Sequence, residues 1–152
     1  MARFEVTTAI AALPRRVFDL CLEVEVHTAS MADSGEKAIG GVTSGRMKLD
    51  DTVTWQARHF GLHWRMTSVI SACDPPGYFV DEQVTGPFKR WHHAHHFEPD
   101  GNGGTVMRDI IDFAAPLGPF GALAERTVLN WYMPRLIRSR NDHVRIAAES
   151  AR

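Results

Sequence analysis

Cysteine is scarce in this 152-residue chain. Cys21 and Cys73 stand alone, with no CxxC pair and no zinc-finger spacing, which excludes a disulfide scaffold or a cysteine-built zinc module and leaves two free thiols as the expectation. Long apolar runs are missing too. The stretch "TAIAAL" at 8–13 falls far short of the roughly 20 residues a spanning helix needs, and no basic segment followed by an apolar one opens the chain, so no transmembrane segment and a cytoplasmic location are expected. Neither sign of charge dominates: the formal net charge is -1, which removes the global basic footprint of a nucleic-acid binder, and no nucleic-acid partner is expected. Any charged partner must be read by a local patch. Gly-x-Ser-x-Gly, a Walker loop and His-Glu-x-x-His are all absent, as are internal repeats and low-complexity stretches.

What the chain has is apolar content, 44%, enough for one compact domain over 1–152 that buries roughly 70% of its unfolded surface. "ARFEVTTAI" alternates Phe4 and Val6 with polar residues and predicts a strand. "ALPRRVFDLCLEV" changes period: Pro14 suits a first helical turn, and Leu13, Val17, Leu20, Cys21 and Val24 recur at helical spacing. From Glu25 to Gly45 a second short helix, a turn and a Gly-broken strand are expected. The middle is strand and turn, with "DTVTWQARHF", "LHWRMTSVISA", "YFVDEQVTG", "FKRWHHAHHFEP" and "GTVMRDIIDFAAP" separated by short turn sequences, which predicts an antiparallel meander. After "APLGPFG" a helix over about 120–149 is expected, with Leu129, Tyr132, Met133, Leu136, Ile137, Val144 and Ala148 as its apolar stripe. Pro134 inside it predicts a distortion about a turn upstream. Only this helix is long enough to cover the apolar face of the sheet. The resulting fold class is α+β, a curved antiparallel sheet wrapped around a long C-terminal helix with short helices after the first strand, and a space between sheet and helix is a natural small-molecule cavity.

Phe4-Glu5-Val6, followed by Ala12-Leu13-Pro14-Arg15-Arg16-Val17-Phe18-Asp19 with its Pro-x-x-Val-Phe start to a helix, resembles the START / Bet v 1-like helix-grip superfamily, also called SRPBCC or polyketide cyclase/dehydrase-like. Asp74-Pro75-Pro76 and Gly86-Pro87-Phe88 are similar to bacterial members. The resemblance covers nearly the whole chain and implies a hydrophobic cavity more than a reaction, because such proteins include lipid and steroid carriers as well as aromatase/cyclases.

Half of the eight histidines fall in "FKRWHHAHHF", 88–97. On a strand Trp91, His93, His95 and Phe97 share one face, while Phe88, Arg90, His92, Ala94 and His96 share the other. Burying an unpartnered guanidinium costs several kcal/mol, so the Trp91 face is expected inward, its imidazoles serving as polar anchors in an aromatic wall. The His-x-His pair invites a metal reading, with His27, His59 or Asp109 as completing ligands. The rest of a cupin-type pattern is missing, however, and neither a metal nor another cofactor is expected. As general acid/base groups, His93 and His95 are the catalytic candidates; Asp81, Glu82, Asp109 and Asp112 are on neighbouring strands, and alternation leaves open which of them point inward. The cavity wall is expected to include Trp55, His59, Phe79, Trp91, His93, His95, Phe97, Met107, Leu129, Tyr132, Met133 and Leu136. Arg126, Arg135, Arg138, Arg140 and Arg145 read as a solvated face of the last helix, or as a patch for an acidic headgroup, RNA or a protein. The functional expectation is binding of a hydrophobic small molecule (a lipid, isoprenoid or aromatic polyketide), with a cyclase, dehydratase or hydrolase using the histidines as the alternative.

Overall fold

In the computed structural model, which describes residues 2–150, the first strand β1 (Ala2–Ile10) buries Val6 and Ile10 and leaves the alternate side chains out. Helix α1 (Pro14–Cys21) starts on a proline whose fixed φ and missing N–H suit a first turn, and it buries Val17 and Phe18. Helix α2 (Val24–Ser30) follows directly. Six more strands complete the sheet: β2 (Lys37–Gly41), β3 (Thr52–His59), β4 (Leu62–Asp74), β5 (Tyr78–Thr85), β6 (Arg90–Pro99) and β7 (Thr105–Ala114). Their order is β1-β7-β6-β5-β4-β3-β2, with every neighbouring pair antiparallel. The meander thus runs from β2 to β7, and β1 closes onto its far side.

The sheet is bent, not flat. Its register slips between Ala38 and Gly40 against β3, and on β4 between Thr67 and Ser68 and between Ile70 and Ala72 against β5. Each slip sets an extra residue against its partner strand and sharpens the local twist. At Gly41, φ is +67° and an added Cβ would collide with the Thr52 carbonyl, so this end of β2 requires glycine.

The concave face holds the C-terminal helical segment: α3 (Gly118–Ala124), a wide π-type turn over Glu125–Leu129, and α4 (Asn130–Ser150). The segment starts slightly before the expected 120, taking in Gly118 and Pro119. The wide turn ends five residues before Pro134, upstream of the missing N–H, where the sequence predicts a distortion. Helix α4 buries Met133, Ile137, Arg140, Asn141, Val144 and Ala148. Its end is clamped by α1: Arg16 donates from Nε to the Ala148 carbonyl at 2.8 Å and from Nη2 to Ala147 at 3.2 Å, a cation on the carbonyl end of a helix. No helix among the described residues is long and apolar enough to cross a membrane.

Candidate functional site

Between sheet and helix lies a cavity of about 540 Å³. Its wall is apolar over most of its area: Val53, Trp55, Met66, Ile70 and Phe79 come from the sheet, and Leu129, Met133, Leu136 and Ile137 from the helical segment. Of the wall residues expected from the sequence, Trp55, His59, Phe79, Trp91, His93, His95, Leu129, Tyr132, Met133 and Leu136 line it. Phe97 and Met107 do not. They are buried behind it, because α1 lies over that end of the sheet: Phe18 packs edge-on against Phe97 with centroids 5.5 Å apart, and the Cys21 thiol contacts the Met107 sulfur at 3.8 Å.

The Trp91-His93-His95-Phe97 face of β6 points inward, each residue buried, while Arg90 is exposed and His92 and His96 are half-buried on the other side. The two inward imidazoles stack on one another, centroids 3.7 Å apart and planes 23° apart, and His95 also stacks on Phe79 at 4.0 Å. Alternation on the flanking strands decides the carboxylates. Asp81 and Asp109 turn inward beside them; Glu82 and Asp112 are on the opposite faces of their strands, half-buried.

Each inward imidazole has a carboxylate. His93 donates from Nε2 to Asp109 Oδ1 at 2.7 Å, and His95 from Nε2 to Asp81 Oδ2 at 2.6 Å. Asp109, with no exposed surface, also accepts from Asn141 Nδ2 at 2.7 Å and from Arg140 Nη1 at 3.4 Å. The Arg140 guanidinium, read from the sequence as part of a solvated face, is only 5% exposed and sits on the cavity wall. Its spacing gave the signal, since position 140 falls on the stripe of 133, 137, 144 and 148. A guanidinium there is tolerated because Asp109 and the Asn141 side-chain oxygen, 3.0 Å away, receive it.

Electrostatics follow the packing. Burial pushes His93 down to about 4, with the neighbouring His95 adding to the effect and Asp81 and Asp109 only partly opposing it. Burial alone would raise Asp109, yet its contacts with His93 and His95 and the charge of Arg140 hold it well below the usual carboxylate range. Asp81 behaves likewise, burial being outweighed by the two histidines. A neutral His93 that donates from Nε2 keeps its lone pair on Nδ1, 3.7 Å from Asp81 Oδ2. The cavity therefore meets an imidazole acceptor, a carboxylate and a guanidinium donor at one spot.

Asp81, His93 and His95 present donor atoms all within 4.8 Å of one another, as a metal site would. The stack argues against one in this arrangement: the ring planes are only 23° apart with centroids 3.7 Å apart, so an ion lying in the plane of one ring beside the stack lies out of the plane of the other. His27 and His59, the other sequence candidates, are engaged elsewhere. His27 stacks on Trp55 and bonds Glu36 Oε1 at 2.9 Å, and His59 bonds the Tyr132 hydroxyl, both of them on the cavity wall.

A curved antiparallel sheet closed over a long C-terminal helix, with an apolar cavity between them, defines a helix-grip protein. The chain belongs to the polyketide cyclase / dehydrase and lipid transport family, whose model matches residues 1–149. Solved structures agree on the fold. A protein from Thermus thermophilus, TTHA0849, superposes with a TM-score of 0.79 at 19% identity, covering 99% of this chain and 100% of that one. The Zhui aromatase/cyclase from a Streptomyces species gives 0.75 at 14% identity over 97% and 93%. A START superfamily protein from Mycobacterium smegmatis gives 0.71 at 12% identity over 93% and 96%. No curated protein matches the chain in sequence.

Proposed function

We propose that the protein binds a hydrophobic small molecule carrying a hydroxyl or oxo group at one end, apolar body in the cavity and polar end at His93, Asp81 and Arg140. One observation carries this reading: a cavity of about 540 Å³ is apolar over most of its wall, yet Asp81, His93 and Arg140 form a charged cluster in that wall. An apolar cargo without a polar end gives no compensation for keeping that cluster at a cavity surface. A ligand hydroxyl can donate to the lone pair of His93 Nδ1 or to Asp81, and an oxo group can accept from Arg140. The family, which spans cyclases, dehydrases and lipid transport, supports a ligand of this general character. The test is displacement of a fluorescent fatty acid from the cavity, run beside native mass spectrometry of protein purified from its own host. A bound apolar species with an oxygen-bearing end is the expected result; protein that neither carries a ligand nor takes up the probe would sink the reading.

A second reading has its own support. His93 held by a buried carboxylate is the arrangement of an oriented general base, which a cyclisation or dehydration alpha to a carbonyl requires, with Arg140 placed to meet developing oxyanion charge. The two readings part on one measurement. Replacing both His93 and His95 by Gln abolishes turnover of an oxo-bearing substrate while leaving probe binding within a few-fold if catalysis is the role, and weakens binding alone if anchoring is.

A further inference from the structure

We infer that the open end of the cavity docks on a membrane surface bearing anionic lipids. Three segments make this rim: the β3–β4 hairpin around Phe60, the β5–β6 turn with Pro87 and Phe88, and the stretch from Ala115 through α3 to the start of α4. Phe60, Leu117 and Phe120 line the cavity and yet are 59%, 77% and 79% exposed, which places them at its mouth. Leu62, Leu123 and Trp131, carried on the same hairpin and the same helical segment, are also exposed. Single apolar side chains in water are ordinary, but large ones gathered on the segments around one opening mark a surface that meets something apolar.

Charge selects the occupant. The chain as a whole carries -1. In the rim segments 56–66, 83–91 and 115–136, by contrast, exposed Arg58, Arg65, Lys89, Arg90, Arg126 and Arg135 outnumber the acids nearby: Glu125 is buried and accepts the Ala115 N–H at 2.6 Å, and Glu36, on the cavity wall, bonds His27 at 2.9 Å. Arg135 lies over the Trp131 ring, 4.7 Å from its centre, pairing a cation with an exposed aromatic. Phe, Leu and Trp flanked by guanidinium and ammonium groups form an interfacial anchor: the rings and leucines enter the headgroup boundary while the cations meet lipid phosphates. An acidic protein would satisfy the cations but leave the projecting Phe60, Leu117 and Phe120 against a polar surface. The inference goes beyond small-molecule binding and adds a route, since a mouth seated on the bilayer lets an apolar ligand pass into the cavity without crossing water.

The experiment is co-sedimentation of the whole 152-residue chain with vesicles of phosphatidylcholine mixed with phosphatidylglycerol, and of phosphatidylcholine alone, over a range of salt. Binding to the mixed vesicles that falls as salt rises is expected, with little binding to the neutral ones. A Phe60→Ser/Phe120→Ser variant should lose roughly tenfold or more in partitioning. A Lys89→Glu/Arg126→Glu variant should lose roughly fivefold per cation removed. Both substitute exposed residues and should keep the wild-type thermal midpoint, and the charge variant, whose two residues lie outside the cavity wall, should also keep wild-type probe displacement. Equal partitioning to both vesicle types, or variants indistinguishable from wild type, overturns the proposal. Retention on an immobilised acidic protein that the charge variant loses and the Phe variant keeps would overturn it in favour of a protein-docking face. Absent vesicle binding with intact probe displacement sinks the docking surface and leaves the cavity reading standing; absent probe displacement in wild-type protein sinks the cavity reading alone.

Discussion

His93 donates from Nε2 to Asp109 Oδ1 at 2.7 Å, and the same carboxylate receives Arg140 and Asn141 from the long helix. Sheet and helix are therefore joined through one buried anion. Asp109→Ala should cost about 3–5 kcal/mol by urea denaturation, because it leaves the Arg140 charge buried and its neighbours unpaired. Adding Arg140→Met to that variant should restore part of the loss, since it removes the stranded charge. A loss below about 1 kcal/mol in the single variant would show that Asp109 does not hold the network together.

Acid should weaken the fold in two stages. His93 has its folded value lowered to about 4 from an ordinary 6.5, so between those values the unfolded chain binds a proton that the folded chain refuses, and stability falls as pH drops through that window. Asp81 and Asp109 are held below the usual carboxylate range; the stability they add is present above the ordinary carboxylate value and is lost as pH falls toward their folded values. The thermal midpoint should thus decline from neutral pH toward 4 and fall further below it. His93→Gln should flatten the first limb and also shrink the second, because His93 is one of the groups that hold Asp81 and Asp109 down; scanning calorimetry at stepped pH reads both changes.

Met133 is buried in the fold and lies on the cavity wall. Met133→Trp places a larger ring into open space, so probe affinity should fall by roughly tenfold while the thermal midpoint moves by only a few degrees. Unchanged affinity would mean that the probe sits elsewhere.

Cys21 lines the cavity, and burial pushes its thiol up to about 11, with the Arg140 charge only partly countering this. Little thiolate exists near neutral pH. Labelling by a maleimide should therefore be on the order of tenfold or more slower in native than in urea-unfolded protein, and slower again with the cavity filled. Mass-spectrometric mapping of the label distinguishes Cys21 from Cys73. Native labelling as fast as unfolded would mean that the thiol is not shielded.

Much of this was legible along the chain. Period-two alternation gave the inward face of β6, because Arg90 and Trp91 cannot both be buried cheaply and only one choice of phase avoids a stranded guanidinium. The Pro14 start of α1, the turn-separated meander and the glycine-free apolar stripe of the last helix gave the element order. Arg140 was legible too, standing on that stripe by its spacing, but was read with the other arginines as solvated. Phe97 and Met107 were assigned to the right face of their strands; what the sequence does not carry is that α1 covers that end of the sheet and turns the same face from cavity wall into closed core.

The amino-acid sequence by itself therefore determined which residues are strand or helix and which face of each is apolar, since both follow from local periodicity and backbone chemistry. Tertiary structure alone decided which of four nearby carboxylates met the histidines. Asp81 and Asp109 reach His95 and His93 because the registers of β5 and β7 against β6 bring them alongside, and Arg140 reaches Asp109 because α4 crosses the concave face at that height. Registers and helix placement depend on closing a bent sheet over one helix, a long-range packing condition that no local pattern encodes.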